Sequence, residues 1–390
     1  MYKEKDDIIV NLTVTQKCYA GCRGCINSSL TFPGQGHGTN AVVDMECDPE
    51  RDVAVIQAIA DKYPDRDITL CFYGGEPFLE PGRMEHVRTL LEKSQAAGRI
   101  RYMAYSNGEL IAQAADTFPD LIRSIYLFSI SIDGSHRQHE MVRPGTSLEK
   151  VIDNLIRLRH ASEGSILMWS TLREEQSLMD CFSEFISLHR DGLADHFFWH
   201  WADTGQPYSD FKAYAKKYEE ELDQVLEHYV SWLSDGEILP VAHINELVLY
   251  LLEGKKRGHT ACGVELAQNY DIQGGRVSAC ADLPPSWGAY SEGGSIDIPA
   301  TVLQSLMTYR EELGCRNCSM YFYCGGRCPV QALAGSPERT RQICKLMHIQ
   351  VNTVKRYIGY ISKMLKKHNI SRQQLYDSSA CMARYTNVVP

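Results

Sequence analysis

The stretch Ile8-Ile-Val-Asn-Leu-Thr-Val-Thr15-Gln-Lys-Cys18-Tyr-Ala-Gly-Cys22-Arg-Gly-Cys25 decides how the rest of the chain is read. Ile8–Thr15 is short and rich in β-branched residues, which predicts a strand. A CxxxCxxC loop follows it directly. Three thiolates in one tight loop can hold three irons of a [4Fe–4S] cube and leave the fourth iron open to a ligand. A structural zinc site would want four protein ligands, and a fourth is not obvious locally. Zinc, or unligated structural cysteines, is the competing reading.

Outward from this loop, strand-like and helix-like stretches alternate. Asp48-Pro49-Glu50 reads as an N-cap, a first-turn proline and a first-turn acid, ahead of apolar Val53, Ile56, Ile59 and Ala60. Strands are predicted at Ile68–Tyr73, Arg101–Tyr105, Ile125–Ile132, Ile166–Thr171 and His196–Trp201, with helical spacing between them. Single helices between strands imply right-handed crossovers and a parallel sheet. Six such units in about 200 residues suit a partial (β/α)6 barrel better than a complete eight-fold one. In such α/β folds, chemistry gathers beyond the carboxyl ends of the strands, where the cysteine, Gly-Gly and Asp-Gly punctuation falls. Helices at Phe211–Leu233 and Ile244–Leu252 follow, then a hairpin candidate turning at Gly274-Gly275. A long helix carrying Ile343, Met347, Val351, Val354, Ile358, Ile361 and Leu365 comes near the end. The expected division is 1–208 for the barrel, 209–258 for a helical bridge, 259–348 for a cysteine-rich α+β domain, and 349–390 for the last helix and tail.

Composition narrows the class. With 40 Lys+Arg against 49 Asp+Glu the net charge is −9, and basic blocks are absent, which argues against a nucleic-acid platform. No apolar run approaches a membrane span, and no signal-like segment opens the chain. Fourteen cysteines without such a signal favour metal or cluster ligation in a reducing cytoplasm over disulfides.

A second constellation begins at Cys262. Twelve residues lead to Gly275 and four more to Cys280. Cys315-x2-Cys318-x5-Cys324-x3-Cys328 comes next, then Cys344 fifteen residues on. Cys315-x2-Cys318 alone would read as half a zinc ribbon. Cys71 and Cys181 fall on a strand and a helix and read as core residues. Cys47 and Cys381 have no assigned role. His136 and His139 form an HxxH in a predicted loop, where a loop role is preferred to a metal pair. His196–Trp201 could line a cavity or belong to the core.

The first loop, in this place, resembles that of the radical S-adenosylmethionine (SAM) enzymes. Gly74-Gly75-Glu76-Pro77 is similar to the family's GGEP motif, whose glycines offer backbone to the SAM amino group. Ser131 matches the ribose position and Arg143 the one that pairs with the SAM carboxylate, where a guanidinium fork suits the anion. Asn107, in Ser106-Asn107-Gly108, fits the end of the third strand. Gly24 departs from the pattern, since many members carry an aromatic residue there, near adenine. The later cysteines resemble the seven-cysteine SPASM domain. That likeness implies one auxiliary [4Fe–4S] cluster on Cys315, Cys318, Cys324 and Cys344, and another on Cys262, Cys280 and Cys328. With the cluster of Cys18, Cys22 and Cys25 this makes three clusters, plus SAM. Relatives that mature sulfatases have a further cysteine between the first two SPASM positions; Gly263–Ala279 has none. The remaining iron there is open, bound by an oxygen or nitrogen ligand, or reached by Cys381.

The resemblance implies an enzyme that cleaves SAM to a 5′-deoxyadenosyl radical and abstracts hydrogen from a peptide. The first expectation is a ribosomal-peptide maturase making a crosslink, a thioether or another oxidative or excisive change. A sulfatase-maturing enzyme that forms formylglycine from Cys or Ser, and a non-catalytic Fe–S electron carrier, are the alternatives. Asp282, two residues after Cys280, is the candidate base, against a solvent-facing reading. The short segment before the first strand suggests a separate leader-recognition protein as partner, with a flavodoxin or ferredoxin as reductant.

Overall fold

In the computed structural model, which describes residues 2–26, 46–266, 268–283, 291 and 295–386, Ile8–Thr15 (β1) and Ile68–Gly74 (β2) are parallel neighbours. Ile100–Ser106 (β3), Ile125–Ser131 (β4), Ser165–Leu172 (β5) and His196–Trp201 (β6) add one after another, each parallel to the last. The order β6-β5-β4-β3-β2-β1 is what successive crossovers of one hand produce. All eight residues of β1 are buried, as expected for a parallel strand covered on both faces.

The helix Pro49–Lys62 (α1) begins as its sequence predicts. Asp48 accepts from the Arg51 N–H, Pro49 opens the first turn, and Val53, Ile56, Ile59 and Ala60 are buried. Pro81–Glu92 (α2) packs beside it. Phe211–Ser234 (α3) and Pro337–Lys367 (α4) lie along one another. Their seam is tied to the sheet by Trp199, whose Nε1–H donates to the Tyr218 hydroxyl at 3.1 Å, and Tyr218 in turn donates to Gln350 Oε1 at 2.5 Å.

Three features depart from the sequence reading. His136–Val142 is a short helix instead of a loop. Its His139 is fully buried, with Nδ1 accepting from the Asp133 N–H at 3.2 Å and Nε2 3.0 Å from Thr146 Oγ1. His136 pairs outward with Glu140, so the HxxH is no metal pair. Next, the hairpin of Asn269–Gln273 (β7) and Arg276–Ser278 (β8) joins the main sheet, with β7 parallel to β1 and Ile9 opposite Asn269. Pairing there satisfies the β1 edge that six strands alone would leave open. Last, Arg372–Ser378 and Ala380–Tyr385 turn the tail back to the start of β1, where Arg384 Nε donates to Asp7 Oδ1 at 2.7 Å. The Tyr105 hydroxyl donates to the Tyr385 carbonyl. Among the described residues, no helix is long and apolar enough to cross a membrane.

Candidate active site

The cysteine loop leaves β1 and is pinned by backbone. The Gly75 N–H donates to the Thr15 carbonyl at 2.8 Å, and the Glu76 N–H to the Lys17 carbonyl at 2.9 Å. On the far side Gly21 N–H donates to the Pro144 carbonyl at 2.7 Å and Arg23 N–H to the Val142 carbonyl at 2.9 Å. A Cβ on Gly75 would lie 2.3 Å from the Lys17 oxygen, so glycine is demanded there by the approach of the backbone just after β1. Gly24 has φ +63°, and a Cβ there would meet Thr204 Cγ2 at 3.3 Å. The left-handed backbone explains why no aromatic side chain stands at this position. Tyr19 does not replace it: its hydroxyl donates to Asn107 Oδ1 at 2.9 Å, bracing the loop to the end of β3.

One cavity of about 700 Å³ is lined by Cys18, Cys22 and Cys25, by Gly74, Gly75 and Glu76, and by Asn107, Ser131 and Arg143. Cys262, Cys280, Cys328 and Asp282 line the same cavity. Cys315, Cys318, Cys324 and Cys344 are not part of this lining but neighbour one another. Burial pushes the Cys315 thiol up to about 12, and the nearby Cys324, Cys344 and Cys318 add to the rise. Burial likewise pushes Cys344 up to about 11, with Arg327 opposing. Thiolates in these surroundings need a cationic centre to stabilise them, which a ligated iron supplies. Among the described residues, no three His, Cys, Asp or Glu converge as on a single ion. The donor chemistry fits clusters held by the three cysteine sets.

Glu76 is buried and already engaged. Its carboxylate accepts from Asn107 N–H at 2.8 Å, Ser106 Oγ–H at 2.9 Å and Phe78 N–H at 3.1 Å. Burial outweighs those bonds and pushes it up to about 7. Asn107 Nδ2 is buried without a hydrogen-bond partner, a donor left over at the cavity wall for an acceptor on a ligand.

Two site residues escaped the sequence reading, Asp133 and Arg173. Asp133 follows β4, where the sequence offers only an Asp-Gly turn; Arg173 follows β5. Asp133 Oδ2 accepts from Arg143 Nε at 2.7 Å and Arg173 NH1 at 2.9 Å, while Oδ1 accepts from the Thr171 N–H at 2.7 Å. Burial would raise its carboxyl, but Arg143 and Arg173 prevail and hold it down to about 2. Arg143 and Arg173 both line the cavity.

Asp282 lines the cavity while remaining partly exposed; burial pushes its carboxyl up to about 7, with Asp203 repelling. Asp271 on β7 joins it in the lining. It too is pushed up to about 7 by burial and then by Asp282. Sequence reasoning missed Asp271 because the hairpin carrying it gave no sign of pairing with β1. Of His196–Trp201, His200 lines the cavity and the aromatic residues are buried core. Cys71 and Cys181 are fully buried, as expected. Cys47 is buried with its N–H on the Val14 carbonyl, and Cys381 Sγ lies 3.8 Å from the Asp377 carbonyl in the tail.

Residues 12–174 match the model of the Radical SAM superfamily, so this part of the chain is a radical SAM domain. The fold is similar to that of native anSMEcpe with bound AdoMet, that is SAM, at TM-score 0.66 and 14% identity, over 91% of this chain and 98% of that one. The same protein with bound AdoMet and Cp18Cys peptide gives TM-score 0.64 at 14% identity and the same coverage. Streptococcus suis SuiB bound to precursor peptide SuiA gives 0.57 at 12% identity, over 85% of this chain and 74% of that one. No curated protein matches. The radical SAM match covers residues 12–174, and beyond it the likeness to these structures is one of fold.

Proposed function

We propose that this enzyme is a peptide maturase, acting on a ribosomally made precursor to leave a crosslink, a thioether or another oxidative or excisive change. The observation that carries the reading is the shared cavity: Cys18, Cys22 and Cys25 line it together with Cys262, Cys280 and Cys328. That volume is of small-ligand size, so a peptide enters by its reacting segment. The two similar structures that contain peptides support the same class of substrate.

Cys18, Cys22 and Cys25 would hold the SAM-binding cluster, and Asn107, Ser131 and Arg143 would hold SAM. Bound there, SAM supplies a 5′-deoxyadenosyl radical for hydrogen abstraction, the cofactor carrying the difficult chemistry. Cys262, Cys280 and Cys328 would hold an auxiliary cluster beside the substrate; Cys315, Cys318, Cys324 and Cys344 would hold another. Asp282 would take a substrate proton. A separate recognition protein, a flavodoxin or ferredoxin as reductant, and a cytoplasmic setting complete the proposal.

The test is an anaerobic incubation with SAM, reductant and candidate precursor peptides. Formation of 5′-deoxyadenosine in step with a mass change in the peptide is expected. A formylglycine product would instead make it a sulfatase-maturing type of enzyme. Absence of 5′-deoxyadenosine with every peptide would leave an electron carrier.

A further inference from the structure

Asp133 has no exposed surface, yet it is bonded to both cations that stand behind the cysteine loop. Its Oδ2 serves Arg143 Nε at 2.7 Å and Arg173 NH1 at 2.9 Å; its Oδ1 serves Thr171 N–H at 2.7 Å and Arg143 NH2 at 3.4 Å. Each guanidinium keeps a second edge for the loop. Arg143 NH1 is 3.7 Å from Cys22 Sγ, and Arg173 Nε donates to the Arg23 carbonyl. The backbone of the same segment completes the arrangement, since Val142 and Pro144, on either side of Arg143, accept from Arg23 and Gly21.

We propose that Asp133 is the positioning residue of the SAM site: it fixes Arg143 and Arg173 at the cavity wall and, through them, the loop of Cys18, Cys22 and Cys25. One carboxylate cannot neutralise two guanidiniums, so the trio presents a net positive charge to the cavity. That charge is of the sign needed by a carboxylate ligand and by clustered thiolates. Buried partners that are hydrogen-bonded on every side hold a geometry far more rigidly than a surface pair would. With Asp133 uncharged, two like charges would face one another inside the protein, and Arg143 would lose the bonds that orient its fork. His139 adds to the same hub by accepting the Asp133 N–H, which ties the helix before Arg143 to the end of β4.

This inference rests on the SAM reading of the loop, and it is independent of the substrate. The experiment uses the full chain, reconstituted anaerobically, with Asp133→Asn as the variant. That change keeps size and an acceptor for Thr171 but removes the charge. SAM affinity by equilibrium dialysis is expected to fall by at least about tenfold, as for loss of a buried charged partner. The SAM-induced change in the electron paramagnetic resonance spectrum of the reduced loop cluster should weaken, while signals from the other cysteine sets stay as in the wild type. A folded D133N with wild-type SAM affinity and an unchanged SAM-induced spectrum overturns the proposal and makes Asp133 merely structural. If D133N does not fold, Arg173→Gln decides, because it leaves the Asp133–Arg143 pair intact. A severalfold loss of SAM affinity is expected of R173Q, and wild-type affinity overturns the proposal. A wild-type protein that gives no SAM response overturns the SAM reading itself, and the positioning role with it.

Discussion

Cys280 Sγ and Asp282 Oδ2 lie 4.0 Å apart just beyond β8, and both face the cavity that the loop cysteines line. This pairing bears on the auxiliary set that has only three cysteines. Cys381, the alternative fourth thiol, is held in the tail near Asp377 and is not in the cavity lining. In the proposed cluster, an open position or an oxygen ligand such as Asp282, 4.0 Å from Cys280, would be the alternative to a fourth thiol.

Cys381→Ala should therefore leave iron content and the resonance signals of the reconstituted protein unchanged. A joint fall of iron and signal would place the tail thiol at the cluster and close the open position.

The tail has a different task. Arg384 and Tyr385 both reach Asp7, which is almost wholly buried, and Thr386 contributes to the cavity lining. Arg384→Ala removes the closest cation from that carboxylate, which keeps Thr69, Tyr385 and Arg101, and should cost about 2 kcal/mol in urea denaturation. An unchanged midpoint would mean that the tail is not fastened there.

Gly75→Ala pushes a methyl group into the Lys17 carbonyl, so the cysteine loop must shift. A loss of about 1–3 kcal/mol is expected, as for other overpacked sites. The iron of the loop cluster should fall selectively, which iron analysis beside the C18A/C22A/C25A variant would show. Full iron retention would show that the strand end yields instead.

Stability should also fall on mild acidification. Burial lowers His139 to about 4, and the Arg143 and Arg173 cations oppose its protonation, while Asp133 favours it. His136 adds a further small repulsion. Because the folded value lies below the unfolded one of about 6.5, the unfolded chain takes up the proton first. Between about pH 6.5 and 4 stability thus declines as pH falls, by on the order of 3 kcal/mol for this one group. His139→Gln should flatten that limb of the urea midpoint against pH. An equally steep limb in the variant would assign the acid sensitivity to other groups, such as His200, which burial lowers to about 3.

How much of this was legible in the sequence depends on the range of the interaction. The strands Ile8–Thr15 and His196–Trp201 carry their signal locally, in β-branched and aromatic runs, and match the structure residue for residue. The cavity-lining cysteines could be grouped because their spacing is itself the signal. Asp133 and Arg173 could not, because their meaning lies in a contact 40 residues apart in sequence. Asp271 was invisible for a similar reason: β7 pairs with β1 across 260 residues, Ile9 opposite Asn269, and a five-residue strand does not announce its partner. His136–Val142 looked like a loop since its helix is held by the buried His139 ring rather than by an apolar stripe.

The most direct measurement of the central claim is 5′-deoxyadenosine production by anaerobically reconstituted protein, with iron counted in the same sample. The wild type should hold about twelve irons and cleave SAM when reduced; the Cys18, Cys22 and Cys25 triple alanine variant should keep about eight irons and cleave none. SAM cleavage that survives in the triple variant, or a wild type with about four irons in total, would contradict the account.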